Sequence, residues 1–297
     1  IPEAQLLREY LMLSKRLGQL ATGKQGWLKL VKEGKLHGRV NHMGAVTSRC
    51  THSNPNLAQV PRVGAEFGKE CRQLFHVPDG YVLLGADATG LELRCLSHFL
   101  HRYDDGAYTK ILLEGDIHSA NQKAAGLETR QQAKTFIYGF LYGAGEEKIG
   151  QIIGRGSKEG RIIKNRFLQK TPALKKLKEA VNTSASKGWI KGLDGRQLPI
   201  RHAHAALNTL LQSAGALICK RWYLNIHIGL RDNGLTEKDA SIVAFIHDEV
   251  QLQVRKGLEQ KVGDIIQQAM QSTKDYYNFN IRLDTEWKSG SNWADTH

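Results

Sequence analysis

Residues 81–100 read YVLLGADATGLELRCLSHFL, and their hydrophobic pattern changes in the middle. The first seven residues, YVLLGAD, form an apolar run that ends in an acid, which predicts a buried β-strand. From Leu91 onward the apolar residues recur at helical spacing, which predicts a helix directly after the strand. A carboxylate at the end of a buried strand loses hydration unless it is paired or binds a cation, so Asp87 is a candidate functional residue.

A second acid lies at the tip of a predicted hairpin near the end of the chain. Residues 241–254, SIVAFIHDEVQLQV, form two short apolar runs joined at His247-Asp248. If the strands are neighbours, Asp87 and Asp248 can hold two hard cations about 3.5–4 Å apart, as in phosphoryl transfer. The alternative is that both are solvated turn acids.

A basic and aromatic stripe recurs every four residues in RQQAKTFIYGFLYG, residues 130–143. Its members lie on one side of a predicted helix: Arg130, Lys134, Tyr138 and Tyr142. The two cations can neutralise a triphosphate, and the two rings can stack on a base. The alternative is a solvated cationic end beside aromatic core positions.

The chain as a whole is basic. Its 297 residues include 42 Lys and Arg against 29 Asp and Glu, a formal net charge of +13 that favours a polyanionic partner such as nucleic acid. Residues 155–178 hold nine of these cations and one acid, Glu159. Such a run indicates either a surface that follows a phosphate backbone or an ordinary solvated face.

Three further features limit the class of protein. The four cysteines form no CxxC pair, so we expect a reducing compartment and no zinc site. No apolar run approaches the ~18–20 residues that span a bilayer, so we expect no membrane partner. The chain does not begin with Met, and we expect it to be a piece of a longer protein.

The order of strand and helix patterns predicts an α+β fold. Strand patterns occur at 81–87, 189–200, 241–254 and 281–287. Helical patterns occur at 3–21, at about 106–177, and at 205–231 and 257–276. We therefore expect a sheet domain that is split by a helical insertion.

Taken together, these segments resemble the polymerase domain of family A DNA polymerases. DATGLELR at 87–94, RxxxKxxxYxxxYG at 130–143 and HDE at 247–249 are similar to motifs A, B and C, in the family's order. Thr47-Ser48-Arg49 and the residues 54–61 are similar to the stretch that contacts the primer–template duplex. Ser48 stands where the family usually has Gly, which puts the local turn in doubt.

The resemblance extends to the replicative polymerases of T-odd bacteriophages, through segments such as AKTFIYGFLYGAGEEKIGQI and HAALNTLLQSAGALICK. It implies a right-hand architecture with an antiparallel palm sheet. The palm would comprise residues 23–99 and 208–297, the fingers 100–207, and a remnant of the thumb base 1–22. Most of the thumb and the exonuclease domain have no counterpart here, so we expect them on missing segments of a longer chain.

The resemblance also implies the chemistry of the active site. Asp87, Asp248 and the carbonyl of Ala88 would bind two Mg²⁺ ions, which Mn²⁺ can replace. Glu249, beside this pair, is either a ligand or a supporting residue. The triphosphate would be held by Arg130, Lys134 and His118, with Lys134 donating a proton to pyrophosphate.

Other residues would recognise the sugar and the duplex. Glu92, hydrogen-bonded to Tyr138, would exclude a ribose 2′-hydroxyl, and Tyr142 would stack near the templating base. The candidates for contact with the duplex at the primer end are Arg49, Asn208, Gln212 and His247. Ordinary surface positions are the alternative for Asn208, Gln212 and His118.

The implied function is template-directed DNA synthesis from deoxynucleoside triphosphates, in phage replication within the cytoplasm of a bacterial host. One alternative is a truncated fragment that binds DNA but is inactive alone. A second is a single-subunit RNA polymerase, which Glu92 disfavours because its carboxylate would exclude ribonucleotides.

Overall fold

The computed structural model describes residues 2–297. The helices within this range are α1 Pro2–Leu17, α2 Trp27–Leu30, α3 Gly68–Gln73, α4 Leu91–Asp104, α5 Ala107–Glu114, α6 Ile117–Ala125, α7 Arg130–Leu141, α8 Glu146–Gln151, α9 Ser157–Lys170, α10 Pro172–Ala185, α11 Ala206–Asp232 and α12 Glu259–Tyr276. The strands are β1 Arg39–Asn41, β2 Thr51–Ser53, β3 Tyr81–Ala88, β4 Trp189–Lys191, β5 Gln197–Pro199, β6 Ala240–Ile246, β7 Glu249–Arg255 and β8 Thr285–Gly290.

A four-stranded antiparallel sheet of order β6-β7-β3-β8 organises the fold. Its inner strand β3 is apolar on both faces because each face packs against a different core. Leu84 and Ala86 belong to the large core with α4 and α11, whereas Leu83 belongs to a smaller cluster with Trp27 and Trp293. This double burial explains why the sequence shows a continuous apolar run rather than an alternating pattern.

The segment between β3 and β6 is mostly helical. A cluster of three aromatic rings joins α7 to α9, with Phe136 and Phe167 edge to face at 5.0 Å between ring centroids and Phe140 5.4 Å from Phe167. The long helix α11 is fixed to α12 by Trp222, whose indole nitrogen donates to the carbonyl of Ile266 at 3.0 Å. The helices therefore form one continuous core with the sheet.

Most predicted elements are confirmed, with shifts at the ends of two. The closing strand runs over Thr285–Gly290, later than the predicted 281–287. The predicted helix at 3–21 is α-helical to Leu17 and then a π-turn, and its apolar side chains are exposed, with Leu6 68% accessible. No helix in the described range has the length and hydropathy needed to cross a bilayer.

Candidate active site

Asp87 and Asp248 lie next to each other where β3 and β7 meet. The register sets Asp87 opposite Glu249, and the amide of Ala88 donates to the carbonyl of Asp248 at 3.0 Å. Thr285 of β8 donates its hydroxyl to the carbonyl of Asp87 at 2.7 Å, which fixes the strand from its other side. Strand β3, which carries Asp87, and the β6–β7 hairpin, which carries Asp248, are therefore neighbours, the condition under which the sequence allowed the two acids to share cations.

The electrostatics of this pair favour a cation. Burial, together with the charges of Glu249 and Asp248, raises the pKa of Asp87 to about 6. Burial and the charge of Glu92 raise the pKa of Asp248 as well. In the described part of the chain neither acid forms an ion pair, so the charges of these two neighbouring carboxylates are poorly compensated.

This donor set fits hard divalent cations such as Mg²⁺, which prefer oxygen ligands and usually keep ligands from a phosphate or water. Among the described residues, no three His, Cys, Asp or Glu side chains converge on one metal position. Asp87 and Asp248 would thus supply two carboxylates, and the remaining ligands would come from backbone, solvent and substrate.

Glu249 is held by other residues rather than aimed at a shared metal position. It is 6% exposed and accepts from the indole of Trp293 at 2.5 Å and from Gln251 at 2.6 Å. Its second oxygen lies 2.8 Å from Nε2 of His297. Burial raises the pKa of Glu249, but the hydrogen bonds and the charge of His297 outweigh it, so the net shift is downward. These contacts favour the supporting role.

Trp293 and His297 were not predicted as site residues. They lie after the last strand, in a segment with no strand or helix pattern, and their contacts depend on the chain folding back onto β7. The sequence carried no local signal for these contacts.

We expect His297→Ala to destabilise the protein by about 1–2 kcal/mol, because it removes one partner of a buried carboxylate while Trp293 and Gln251 remain. Thermal unfolding at neutral pH would measure this change. His204→Ala, at an exposed position, is the matched control and should leave the unfolding temperature unchanged. Equal stability of the two variants would show that the contact with Glu249 contributes nothing.

The basic stripe of α7 faces outward from a fixed helix. Thr129 caps the helix start through a reciprocal pair of hydrogen bonds with Gln132. Arg130 and Lys134 are exposed, Tyr138 is half-buried and Tyr142 is 45% exposed, whereas the opposite side of the helix is buried. Tyr142 is therefore not a core residue.

Arg130 has a carboxylate partner that the sequence did not reveal. Its guanidinium binds Asp116 through two hydrogen bonds of 2.7 and 3.1 Å at an exposed position. Asp116 also caps α6 by accepting from the amide of His118. A triphosphate that binds Arg130 must compete with this carboxylate or share the guanidinium with it.

His118 lies beside the cationic stripe. Its ring is 6.4 Å from that of Tyr138, and its Nδ1 atom is buried without a hydrogen-bond partner among the described residues. Burial, followed by the charges of Arg130 and Lys134, lowers the pKa of His118. The structure thus groups His118 with both cations of the stripe.

Glu92 and the two tyrosines are close together, but the hydrogen bond is not the expected one. Tyr142 donates its hydroxyl to Glu92 at 3.0 Å, whereas we expected the partner to be Tyr138. The expected hydrogen bond from Tyr138 is wrong for this structure, in which the tyrosine one helical turn later reaches one oxygen of the carboxylate instead. Burial and the charge of Glu92 raise the pKa of both phenols, that of Tyr142 to about 12.

A small cleft next to the acids collects most of the predicted duplex-binding residues. It is lined by Arg49, Glu92, Gln212, His247 and Asp248 together with apolar residues of α4 and α11. Asn208 lies one turn before Gln212, is half-buried, and is not among the described residues that line this cleft. The structure therefore brings Gln212 to the acids and leaves Asn208 at a distance.

His247 adopts an unusual backbone conformation at the hairpin tip, with φ of +59°. Burial, and then the charge of Arg49, lowers the pKa of His247 to about 4. The ring of His52, on β2, packs edge to face against it at 5.9 Å. His52 is thus a further neighbour of His247 that the sequence did not predict.

The basic run 155–178 occupies α9 and α10. Most of its cations are exposed, while Ile163, Phe167, Leu174 and Leu177 on the same helices are buried. The geometry is that of a positive outer face on the helical insertion.

Known proteins share this fold and sequence. The profile of DNA polymerase family A matches residues 2–295. The chain is 48% identical to the DNA-directed DNA polymerases of Enterobacteria phage T3 and Escherichia phage T7, over its whole length and over 47% of each phage protein. It therefore spans less than half the length of these relatives. It is also 29% identical to DNA polymerase I of Pseudomonas aeruginosa over 90% of this chain and 30% of that protein.

A solved structure supports the same fold. The polymerase domain of Pol1 from M. smegmatis, in complex with DNA primer-template and dNTP, aligns with a TM-score of 0.83 at 22% identity. The alignment covers 97% of this chain and 53% of that one. The mixed arrangement of helices and antiparallel sheet is therefore that of a polymerase domain.

Proposed function

Because this chain belongs to DNA polymerase family A, we propose that it extends a DNA primer along a template by adding deoxynucleotides to the 3′-hydroxyl. The observation that carries the proposal is the adjacency of Asp87 and Asp248, two carboxylates without ion-pair partners in the described part of the chain. The charge of Asp248 contributes, after burial and Glu92, to the raised pKa of the Tyr138 and Tyr142 phenols, which supports a position of these two residues near the acids.

The proposed domains follow the right-hand architecture. Residues 23–99 and 208–297 form the palm, which contains the four-stranded sheet and both acids. Residues 100–207 form the fingers, which contain α7, and residues 1–22 belong to the thumb base. The exposed apolar side chains of α1 are consistent with a helix that packs against further thumb segments in a longer chain.

In the proposed reaction the primer 3′-oxygen attacks the α-phosphorus of the bound nucleotide, and the bond to pyrophosphate breaks. When bound between Asp87 and Asp248, two Mg²⁺ ions would acidify the 3′-hydroxyl and neutralise the charge of the triphosphate. Arg130, Lys134 and His118 bind the phosphates, and Lys134 donates a proton to the departing pyrophosphate.

The chain's other site residues orient the substrates. We assign Glu92 to the exclusion of a ribose 2′-hydroxyl and Tyr142 to stacking near the templating base. Arg49, His247 and Gln212 contact the primer end of the duplex, where acceptors common to all base pairs allow a check of fit without reading sequence. Asn208 is assigned the same role, with weaker support because it does not line the cleft.

We assign the activity to phage DNA replication in the cytoplasm of a bacterial host, which the identity to the T3 and T7 enzymes supports. Extension of a labelled primer on a longer template, with four deoxynucleotides and Mg²⁺, tests the proposal. Extension with deoxynucleotides but not with ribonucleotides would support it. Equal use of ribonucleotides would favour an RNA polymerase. DNA binding without extension at any concentration would favour an inactive fragment.

Tyr138→Phe should make the enzyme discriminate against dideoxynucleotides. The phenol of Tyr138 can replace the missing 3′-hydroxyl as a hydrogen-bonding group, so its loss should raise the preference for deoxynucleotides about tenfold or more, the effect of one such bond. Single-nucleotide incorporation with each substrate measures the ratio of kcat/KM values. Tyr142→Phe removes the equivalent hydroxyl one turn later and should leave this ratio unchanged. An unaltered ratio in Tyr138→Phe would refute the role.

A further inference from the structure

Ser48 occupies a backbone conformation that side chains rarely adopt. Its φ is +62°, in the left-handed region that favours glycine, and its amide donates to the carbonyl of Ala45 at 2.8 Å to close a tight turn. The residue is 3% exposed. A serine in this conformation is unfavourable unless its side chain makes an interaction that glycine cannot make.

That interaction is a hydrogen bond with Arg196. Nη1 of Arg196 donates to Oγ of Ser48 at 2.8 Å, although the two residues are far apart in sequence. Asp194 holds the same guanidinium from the other side, with Nε donating to its carboxylate at 2.7 Å. The charged donor is therefore fixed in direction before it reaches the hydroxyl, which strengthens the bond.

Arg196 is part of a rigid support. It follows the turn at Asp194-Gly195 between β4 and β5, where the amide of Gly192 donates to the carbonyl of Arg196 at 2.8 Å. Strand β4 packs against α10 and α11. From α11, Lys220 donates to the carbonyl of His42, so the loop between β1 and β2 is held at two points by one scaffold.

The turn leads directly into the active-site cleft. Arg49, the next residue, lines the cleft together with His247 and Asp248, and its charge lowers the pKa of His247 after the effect of burial. A change in the conformation of Ser48 would therefore alter where the Arg49 side chain enters the cleft.

We propose that Ser48 is a positioning residue, whose hydrogen bond to Arg196 tethers the turn at 45–48 to the β4–β5 hairpin and so holds Arg49 against the primer end of the duplex. This rests on the proposed function, because it assigns Arg49 to the primer–template. In this proposal the buried Ser48 acts through Arg49 rather than by a contact of its own with the duplex. A glycine at this position would adopt the positive φ without strain, whereas Ser48 is held in it by the hydrogen bond from Arg196.

Two substitutions separate the hydrogen bond from the backbone conformation. Ser48→Ala removes the hydroxyl and keeps Cβ, whereas Ser48→Gly removes the hydroxyl and relieves the positive φ. We expect both to raise KM for primer–template about five- to tenfold, because Arg49 is then held less firmly, while kcat stays within about twofold. If Ser48→Gly keeps the wild-type KM, the tether is refuted.

Double variants test whether the change in KM depends on Arg196 and Arg49. Ser48→Gly should add little to the KM of Arg196→Gln, and little to that of Arg49→Gln, because each pair acts through one contact. Fully additive effects in either pair would overturn the proposal. Asn278→Gly, which relieves another positive φ at an exposed position, is the control and should leave KM unchanged.

The results that would contradict the proposed function differ from those that would contradict the role of Ser48. A wild-type chain that neither binds nor extends a primer–template would contradict the function itself. A wild-type chain that extends normally, with Ser48 variants of unchanged KM, would contradict only the tether. Thermal unfolding separates the two variants: Ser48→Ala loses the bond and keeps the positive φ, so its unfolding temperature should fall, whereas Ser48→Gly relieves the φ and should unfold closer to the wild type. A positioning role predicts a raised KM in Ser48→Gly as well, and a KM that rises only where the unfolding temperature falls would contradict it.

Discussion

Replacing Asp87 with Asn should abolish primer extension, lowering its rate by at least about a thousandfold. The amide keeps the size of the side chain but removes the negative charge that two divalent cations would need, and a thousandfold loss corresponds to about 4 kcal/mol of transition-state stabilisation. Single-turnover extension with saturating primer–template measures the chemical step separately from DNA binding.

The same variant should fold at least as well as the wild type. The pKa of Asp87 is raised from 3.8 to about 6 in the folded chain. Because the folded-state pKa is the higher one, the free energy of unfolding decreases as the pH rises from about 4 to about 6. At pH 7 the wild-type carboxylate therefore destabilises the folded state, and the neutral amide should not. A large fall in unfolding temperature would instead assign Asp87 a structural role.

Asp264→Asn is a matched control for charge, since Asp264 is exposed on α12 and does not line the cleft. It should extend primers at the wild-type rate. Asp248→Asn should reproduce the loss seen with Asp87→Asn. Normal extension by either active-site variant would contradict the proposed mechanism.

Lys134→Met should lower the rate of nucleotide addition about a hundredfold, the second largest effect that we expect. Lys134 is exposed on α7 one turn after Arg130, and its ammonium forms no ion pair in the described part of the chain. Methionine retains most of the apolar stem and removes the charge. Loss of one preorganised charge that stabilises the leaving group typically costs about 10²–10³ in kcat.

The relative changes in kcat and KM of Lys134→Met test whether Lys134 acts as the proton donor. If Lys134 donates a proton to pyrophosphate, kcat should fall more than the affinity for the nucleotide. Lys148→Met removes a cation from an exposed position on α8 and should change neither constant by more than about twofold. A Lys134→Met enzyme within threefold of the wild-type kcat would exclude the proton-donor role.

The parts of the fold that the sequence predicted are those with strong local patterns. The strand before Asp87 and the hairpin around His247-Asp248 were predicted correctly, because a buried strand and a turn each depend on residues that are consecutive in sequence. The direction of the α7 stripe followed from its four-residue spacing. That β3 and β7 pair with each other was only a possibility from the pattern, and it needed the full register to be established.

The contacts that sequence reasoning missed are all non-local. Asp116 reaches Arg130 across the connection between two helices, Trp293 and His297 reach Glu249 from beyond the last strand, and Arg196 reaches Ser48 from another hairpin. No spacing rule marks such pairs, because each depends on how elements pack. The hydrogen-bond partner of Glu92 was mispredicted for a related reason. Tyr138 and Tyr142 lie on the same side of one helix, so the sequence does not show which of them reaches the carboxylate.

The sheet pairing of β3 also has a consequence for the order in which the protein folds. Its two partners, β7 and β8, follow only after the entire helical insertion, so closing this pairing requires a large loss of chain entropy. Helices α4–α10 rely mainly on contacts between near neighbours in sequence and can form rapidly, whereas non-local strand pairing is slow. A nascent chain can thus be largely helical while Asp87 and Asp248 are still apart, and the two acids come together only when the sheet closes.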